Sequence, residues 1–72
     1  MTYTQIAKTI ASEIRSLGYS ELTYVRTGRS WVHFYYNGKF LFSADLQLTS
    51  YLVCKSILKE MLEETTDVHL HA

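Results

Sequence analysis

The sequence predicts an α+β fold: a three-stranded antiparallel meander with one helix before it and one after, both helices on one face of the sheet. Three observations predict it. Apolar residues recur at helical spacing near each end of the chain. The segment between them is rich in aromatic and β-branched residues. That segment is cut by two glycine-containing turns about nine residues apart, the spacing of a meander.

The first helix is expected over about residues 3–17. Ile6, Ile10, Ile14 and Leu17 follow one another at intervals of four, four and three, which is one helical face. Ala7 and Ala11 widen it. Thr2 and Gln5 stand in capping-box relation, with Thr4 a second candidate for the cap. Gly18 is placed to end the helix.

Strands are expected at about 21–27, 30–36 and 39–43. Gly28-Arg29 fits a two-residue turn with glycine first, and Asn37-Gly38 fits the type I′ turn. Two-residue loops would pair Thr27 with Ser30, Arg26 with Trp31, Tyr36 with Lys39 and Phe34 with Leu41. Side chains alternate across a strand, so one face would carry Leu22, Tyr24, Arg26, Trp31, His33, Tyr35, Phe40, Phe42 and Ala44. That face holds more of the large aromatics and is expected under the helices. The other face would show Val25, Val32, Phe34, Tyr36 and Leu41, an apolar patch on the side that usually turns polar. A one-residue bulge in a single hairpin would exchange the faces for part of the sheet, and an outward face of Trp31, His33, Tyr35, Tyr24 and Arg26 would combine stacking rings with a cation, as single-stranded nucleic-acid platforms do.

The second helix is expected over about 49–64, with Asp45, Thr49 or Ser50 as its cap. Tyr51, Cys54, Leu58, Met61 and Leu62 follow helical spacing, and Leu48, Leu52, Val53 and Ile57 make the stripe wider than one contact needs. Residues 65–72 are expected to fray.

Composition bounds the function. The chain has 72 residues, suited to a single domain with a small core. Seven basic and seven acidic residues leave no net charge, so no global field draws nucleic acid or a membrane. The single cysteine, Cys54, excludes an internal disulfide framework and fits a reducing, cytoplasmic setting. Neither a signal peptide nor an apolar run long enough for a membrane span is read in the sequence.

Catalytic signals are weak. His33 has Glu21 and Asp45 as its nearest acidic candidates, both at strand ends, and nothing in the spacing brings them within reach. Cys54 sits in the apolar part of its helix and is expected to be buried and inert. His69 and His71 are two ligands at most, too few for a structural metal site. No cofactor, metal or catalytic residue is therefore expected.

The α-β-β-β-α order resembles the double-stranded-RNA-binding fold and, within it, the small HicA-type toxins that cleave messenger RNA. Those proteins carry a glycine-serine-histidine step entering the second strand, where the histidine does the chemistry. Here Gly28, Arg29, Ser30 and Trp31 occupy that step, so Ser30 matches and Trp31 stands where the histidine would be. The resemblance implies an RNA-binding surface of Arg26, Arg29, Trp31, His33 and Lys39 without the cleaving residue. Small phage-encoded inhibitors, some anti-CRISPR proteins among them, share the helix-meander-helix plan.

Two functions are thus expected. The first is a non-catalytic interaction module that binds a protein partner or a second copy through Val25, Val32, Phe34, Tyr36 and Leu41, or through Val53 and Ile57 of the second helix. Its size suits a regulator or inhibitor from a mobile element. The alternative is HicA-like RNA binding.

Overall fold

The computed structural model describes residues 1–71, with side chains described for residues 1–64. Helix α1 spans Tyr3–Ser16, β1 Leu22–Thr27, β2 Trp31–Tyr36, β3 Lys39–Asp45 and α2 Tyr51–His71. The sheet is antiparallel in the order β1-β2-β3. The expected α+β class and element order are both present.

α1 starts where the sequence says it should. Thr2 Oγ1 accepts the Gln5 N–H at 3.1 Å, and Gln5 Oε1 accepts the Thr2 N–H at 2.8 Å. This reciprocal pair satisfies two of the donors that a helix start leaves open. Leu17 caps the other end and Gly18 turns the chain with φ +112°, a conformation a side chain would resist. Ala7, Ile10, Ala11 and Ile14 face the core.

α2 is longer than expected: its backbone runs helical to His71, where fraying had been expected from residue 65. Of the three candidate caps, Ser50 does the work, accepting the Val53 N–H on Oγ at 3.2 Å. Asp45 acts earlier, at the turn out of β3: its carbonyl accepts the Leu48 and Thr49 N–H groups and its Oδ1 accepts the Gln47 N–H at 3.0 Å. Cys54, Leu58 and Leu62 recur every four residues and are buried.

The Asn37-Gly38 turn has φ +53° and +82° and pairs Tyr36 with Lys39, the type I′ geometry. The other hairpin corrects the expected register. Thr27 pairs with Trp31, not Ser30, so the loop has three residues, Gly28 to Ser30. Tertiary bonds hold Ser30 out of the strand. Its hydroxyl donates to Asp45 Oδ1 at 2.5 Å, and its carbonyl accepts the Leu46 N–H at 2.8 Å. A second correction lies between β2 and β3. A bulge lets Tyr35 pair with Phe40 while Phe34 pairs with Phe42, leaving Leu41 as the extra residue.

These two one-residue shifts, one on each side of β2, turn that strand over relative to both neighbours. Leu22 and Tyr24 of β1 and Phe42 and Ala44 of β3 face the helices as expected. From β2 it is Val32, Phe34 and Tyr36 that join them, and Trp31, His33 and Tyr35 that face away. Val32 and Phe34 are fully buried, Tyr36 is half-buried against the core, and Leu41 packs against it too. The expected open patch of Val25, Val32, Phe34, Tyr36 and Leu41 therefore does not exist as a unit; only Val25 of the five stands on the open face.

Polar atoms explain the choice. Burying an indole N–H and an imidazole beneath the two helices would leave groups that each need a partner, while Tyr35 and Tyr36 put one phenol on either side of the strand. Val32 and Phe34 carry none, and burying each fully contributes about 1.5–3 kcal/mol.

Candidate interaction face

The sheet face away from the helices is built from Thr23, Val25 and Thr27 of β1, Trp31, His33 and Tyr35 of β2, and Phe40 and Ser43 of β3. Three of its large side chains are well exposed: Val25 by 49%, Trp31 by 44% and Phe40 by 58%. The rings are arranged in two pairs. Trp31 and His33 lie stacked, centroids 6.4 Å apart and planes 11° apart. Tyr35 and Phe40 meet edge to face at 5.8 Å.

His33 is the fixed point of this face. Its Nδ1 lies 2.5 Å from Ser43 Oγ and its Nε2 2.6 Å from Thr27 Oγ1. A hydroxyl can either donate or accept, so both contacts are satisfied in either tautomer. The ring thus ties β2 to both neighbours and holds the surface on which Trp31 stacks. Its described partners are hydroxyls, not carboxylates. Asp45, the nearest acid in β3, is turned to Ser30 and the Gln47 N–H. A histidine without an orienting carboxylate, pinned on both nitrogens, reads as a structural clamp.

The residues expected for RNA binding are divided between the two sides. Trp31 and His33 share the open face. Arg26 pairs with Val32 and lies on the helix side, where its guanidinium curls round the hairpin end. It donates to the carbonyls of Thr27 at 3.4 Å, Arg29 at 3.0 Å and Trp31, and so closes the loop. Lys39 pairs with Tyr36, also on the helix side. Arg29 is exposed at the loop tip.

Helix α2 supplies the other expected surface. Val53 and Ile57 are exposed one turn apart, with Leu52 beside them and Leu48 in the preceding turn. This strip is aliphatic, whereas the sheet face carries aromatic rings.

Between the helices a polar cluster fixes their spacing. Lys55 Nζ lies 3.0 Å from Glu13 Oε2, the Tyr51 hydroxyl donates to the same oxygen, and the ammonium sits 5.5 Å from the Tyr51 ring centre. The Tyr51 hydrogen bond, followed by Lys55, holds the Glu13 carboxyl below its usual range, and Glu13 in turn raises Tyr51 and Lys55. Cys54 is buried, and burial pushes its thiol up to about 11, which keeps it protonated.

Among the described residues no group of three or more His, Cys, Asp or Glu could hold a metal ion, and no helix is long and apolar enough to cross a membrane. The side chains of His69 and His71 lie outside those described. The aromatics were expected inward, and an open ring face only as the outcome of a bulge. The signal that could have found that face is the polar atom in Trp31 and His33, against the wholly apolar Val32 and Phe34 on the alternate positions. No family model, no curated protein and no solved structure matches the chain.

Proposed function

We propose that this chain is a non-catalytic interaction module that binds a protein partner through the open sheet face of Val25, Trp31, His33, Tyr35 and Phe40. The observation that carries the reading is the exposure of Trp31 and Phe40 on a face whose His33 is hydrogen-bonded on both ring nitrogens. Tryptophan and tyrosine are the residues on which protein interfaces most often anchor. The anchors here are already ordered, Trp31 by its stack on a clamped His33 and Phe40 by its contact with Tyr35, so little side-chain entropy remains to be lost on binding. Such a module acts by occupying a surface of its partner, as a regulator or inhibitor does.

The test is photo-cross-linking from the producing cell, with a photoreactive side chain placed at position 40 in one protein and at position 57 in another. The reading expects a protein adduct from position 40 that Trp31→Glu removes. An adduct from position 57 alone would transfer the function to α2.

A second reading, HicA-like binding of single-stranded RNA, is favoured by the Trp31–His33 stack, since bases stack on such rings without regard to sequence. It lacks cations. Arg26 is committed to loop carbonyls and Lys39 lies on the helix side, while affinity for phosphates grows with the number neutralised. RNA binding that falls steeply with salt and is lost in Trp31→Ala would establish it.

A further inference from the structure

The open face is one surface; the edge of the sheet is another. We propose that two copies of this chain pair antiparallel along β1, edge to edge, to form one continuous six-stranded sheet.

β1 is an outer strand. The Glu21 carbonyl accepts the Asn37 N–H, so at Glu21 the backbone points toward β2. Backbone groups alternate along an antiparallel strand. Those of Thr23, Val25 and Thr27 therefore also point toward β2, and those of Leu22, Tyr24 and Arg26 point outward. The Leu22 carbonyl is already covered, since it accepts the Arg15 Nε–H at 2.8 Å. What remains open is the N–H and C=O of Tyr24 and of Arg26.

That pattern selects one register. If Tyr24 pairs with Arg26 of the second copy, Arg26 pairs with Tyr24 by symmetry and every open group finds a partner. The two-fold axis then passes through Val25, perpendicular to the sheet. Centring the pairing on Tyr24 instead would set Leu22 against Arg26 and break the Arg15 bond.

The side chains agree with this register. On the open face Val25 meets Val25 of the second copy and Thr23 meets Thr27, both suited to strand neighbours. Beyond the paired strands, Glu21 lies toward the loop of the second copy that carries Arg29. Both are exposed, and among the described residues neither side chain has a partner. The opposing charge is Lys8. It lies seven residues before Arg15, on the same flank of α1, but it is exposed and its long stem reaches solvent.

β3 is the less suitable edge. It carries the bulge at Phe40 and Leu41 and charges at both ends, Lys39 and Asp45, the devices that usually keep an edge unpaired. β1 has neither a bulge nor proline, and its open-face residues Thr23, Val25 and Thr27 are uncharged. Because the axis is perpendicular to the sheet, the two open faces would join side by side. This inference goes beyond the face reading and shares only Val25 with it.

The test is light scattering from micromolar to millimolar protein, with circular dichroism to confirm folding. Wild type should dimerise with rising concentration. Val25→Asp, which sets two carboxylates against each other at the axis, should be a folded monomer. Glu21→Arg turns two attractive pairs into repulsive ones and should weaken the dimer about tenfold; adding Arg29→Glu should restore it. Trp31→Glu, on the face and not the edge, should leave association unchanged. A monomer at every concentration would overturn the proposal. So would a dimer that ignores Val25→Asp and the charge reversal, or one that Trp31→Glu dissolves.

Discussion

The Ser30 hydroxyl donates to the Asp45 carboxylate at 2.5 Å, joining the loop after β1 to the end of β3. The same carboxylate oxygen accepts the Gln47 N–H, and the Ser30 carbonyl accepts the Leu46 N–H. One contact thus fixes the length of the first hairpin loop and the exit of the chain toward α2. Hydrogen bonds to charged groups contribute about 1.5–3 kcal/mol. Ser30→Ala and Asp45→Asn should each lower stability in urea unfolding by about that amount, and the double variant should cost less than the sum of the two.

Phe34 and Trp31 sit on opposite faces of one strand, and their truncations should differ accordingly. Phe34 is fully buried and stacks on Phe42 at 5.7 Å. Phe34→Ala should cost about 3–5 kcal/mol, enough to unfold a domain of this size at moderate temperature. Trp31→Ala should cost under about 2 kcal/mol, because nearly half of the side chain is already in water. Thermal unfolding of the two variants gives the comparison.

Stability should fall in acid partly through Glu13. The Tyr51 hydrogen bond and Lys55 lower its folded pKa from 4.5, so the unfolded chain takes up the proton first. The sign follows: this contribution is complete above the unfolded value and is lost as pH falls through the lower folded one. Tyr51 and Lys55 are raised, so their contribution is complete below their unfolded values, 10.0 and 10.5, and is lost as pH rises through the folded ones. Glu13→Gln should flatten both limbs of the stability profile measured by urea unfolding across pH.

Cys54 should resist thiol reagents while the protein is folded. It is buried, and its thiol is held protonated by a pKa pushed up to about 11. Labelling should follow the opening of α2 and accelerate with urea. Rapid labelling of the native chain at neutral pH would contradict this placement.

Much of the fold was legible because its signals are local. The Thr2–Gln5 box, the Asn37-Gly38 turn and the four-residue spacing of Ile6, Ile10 and Ile14 each need only neighbours in sequence to act. The loop at Gly28 is different. Gly28-Arg29 satisfies the chemistry of a two-residue turn as well as Gly28 to Ser30 satisfies a three-residue one. The decision is made by Asp45, fifteen positions beyond Ser30, and by the Arg26 guanidinium folding back on the loop carbonyls. The bulge at Leu41 likewise has no local marker. Because the two shifts fall on either side of β2, β1 and the end of β3 kept their expected faces while the central strand turned over. The candidate site suffered most, since Val32 and Phe34 were its centre and are instead the centre of the core. Val25 survived because β1 was correctly placed; the Trp31–His33 side emerged as the open face that the bulge alternative described, but Tyr24 and Arg26, which that alternative also turned outward, lie on the helix side.

Trp31 is the only tryptophan of the chain, which makes its fluorescence a direct report on which side of β2 faces out. The measurement is acrylamide quenching of the native protein against the same protein in urea. An open Trp31 should show emission shifted toward that of a hydrated indole and quenching that reaches a large fraction of the unfolded value. A blue emission that acrylamide hardly touches, becoming quenchable only on unfolding, would mean that Trp31 lies beneath the helices, and the interaction face described above would not exist.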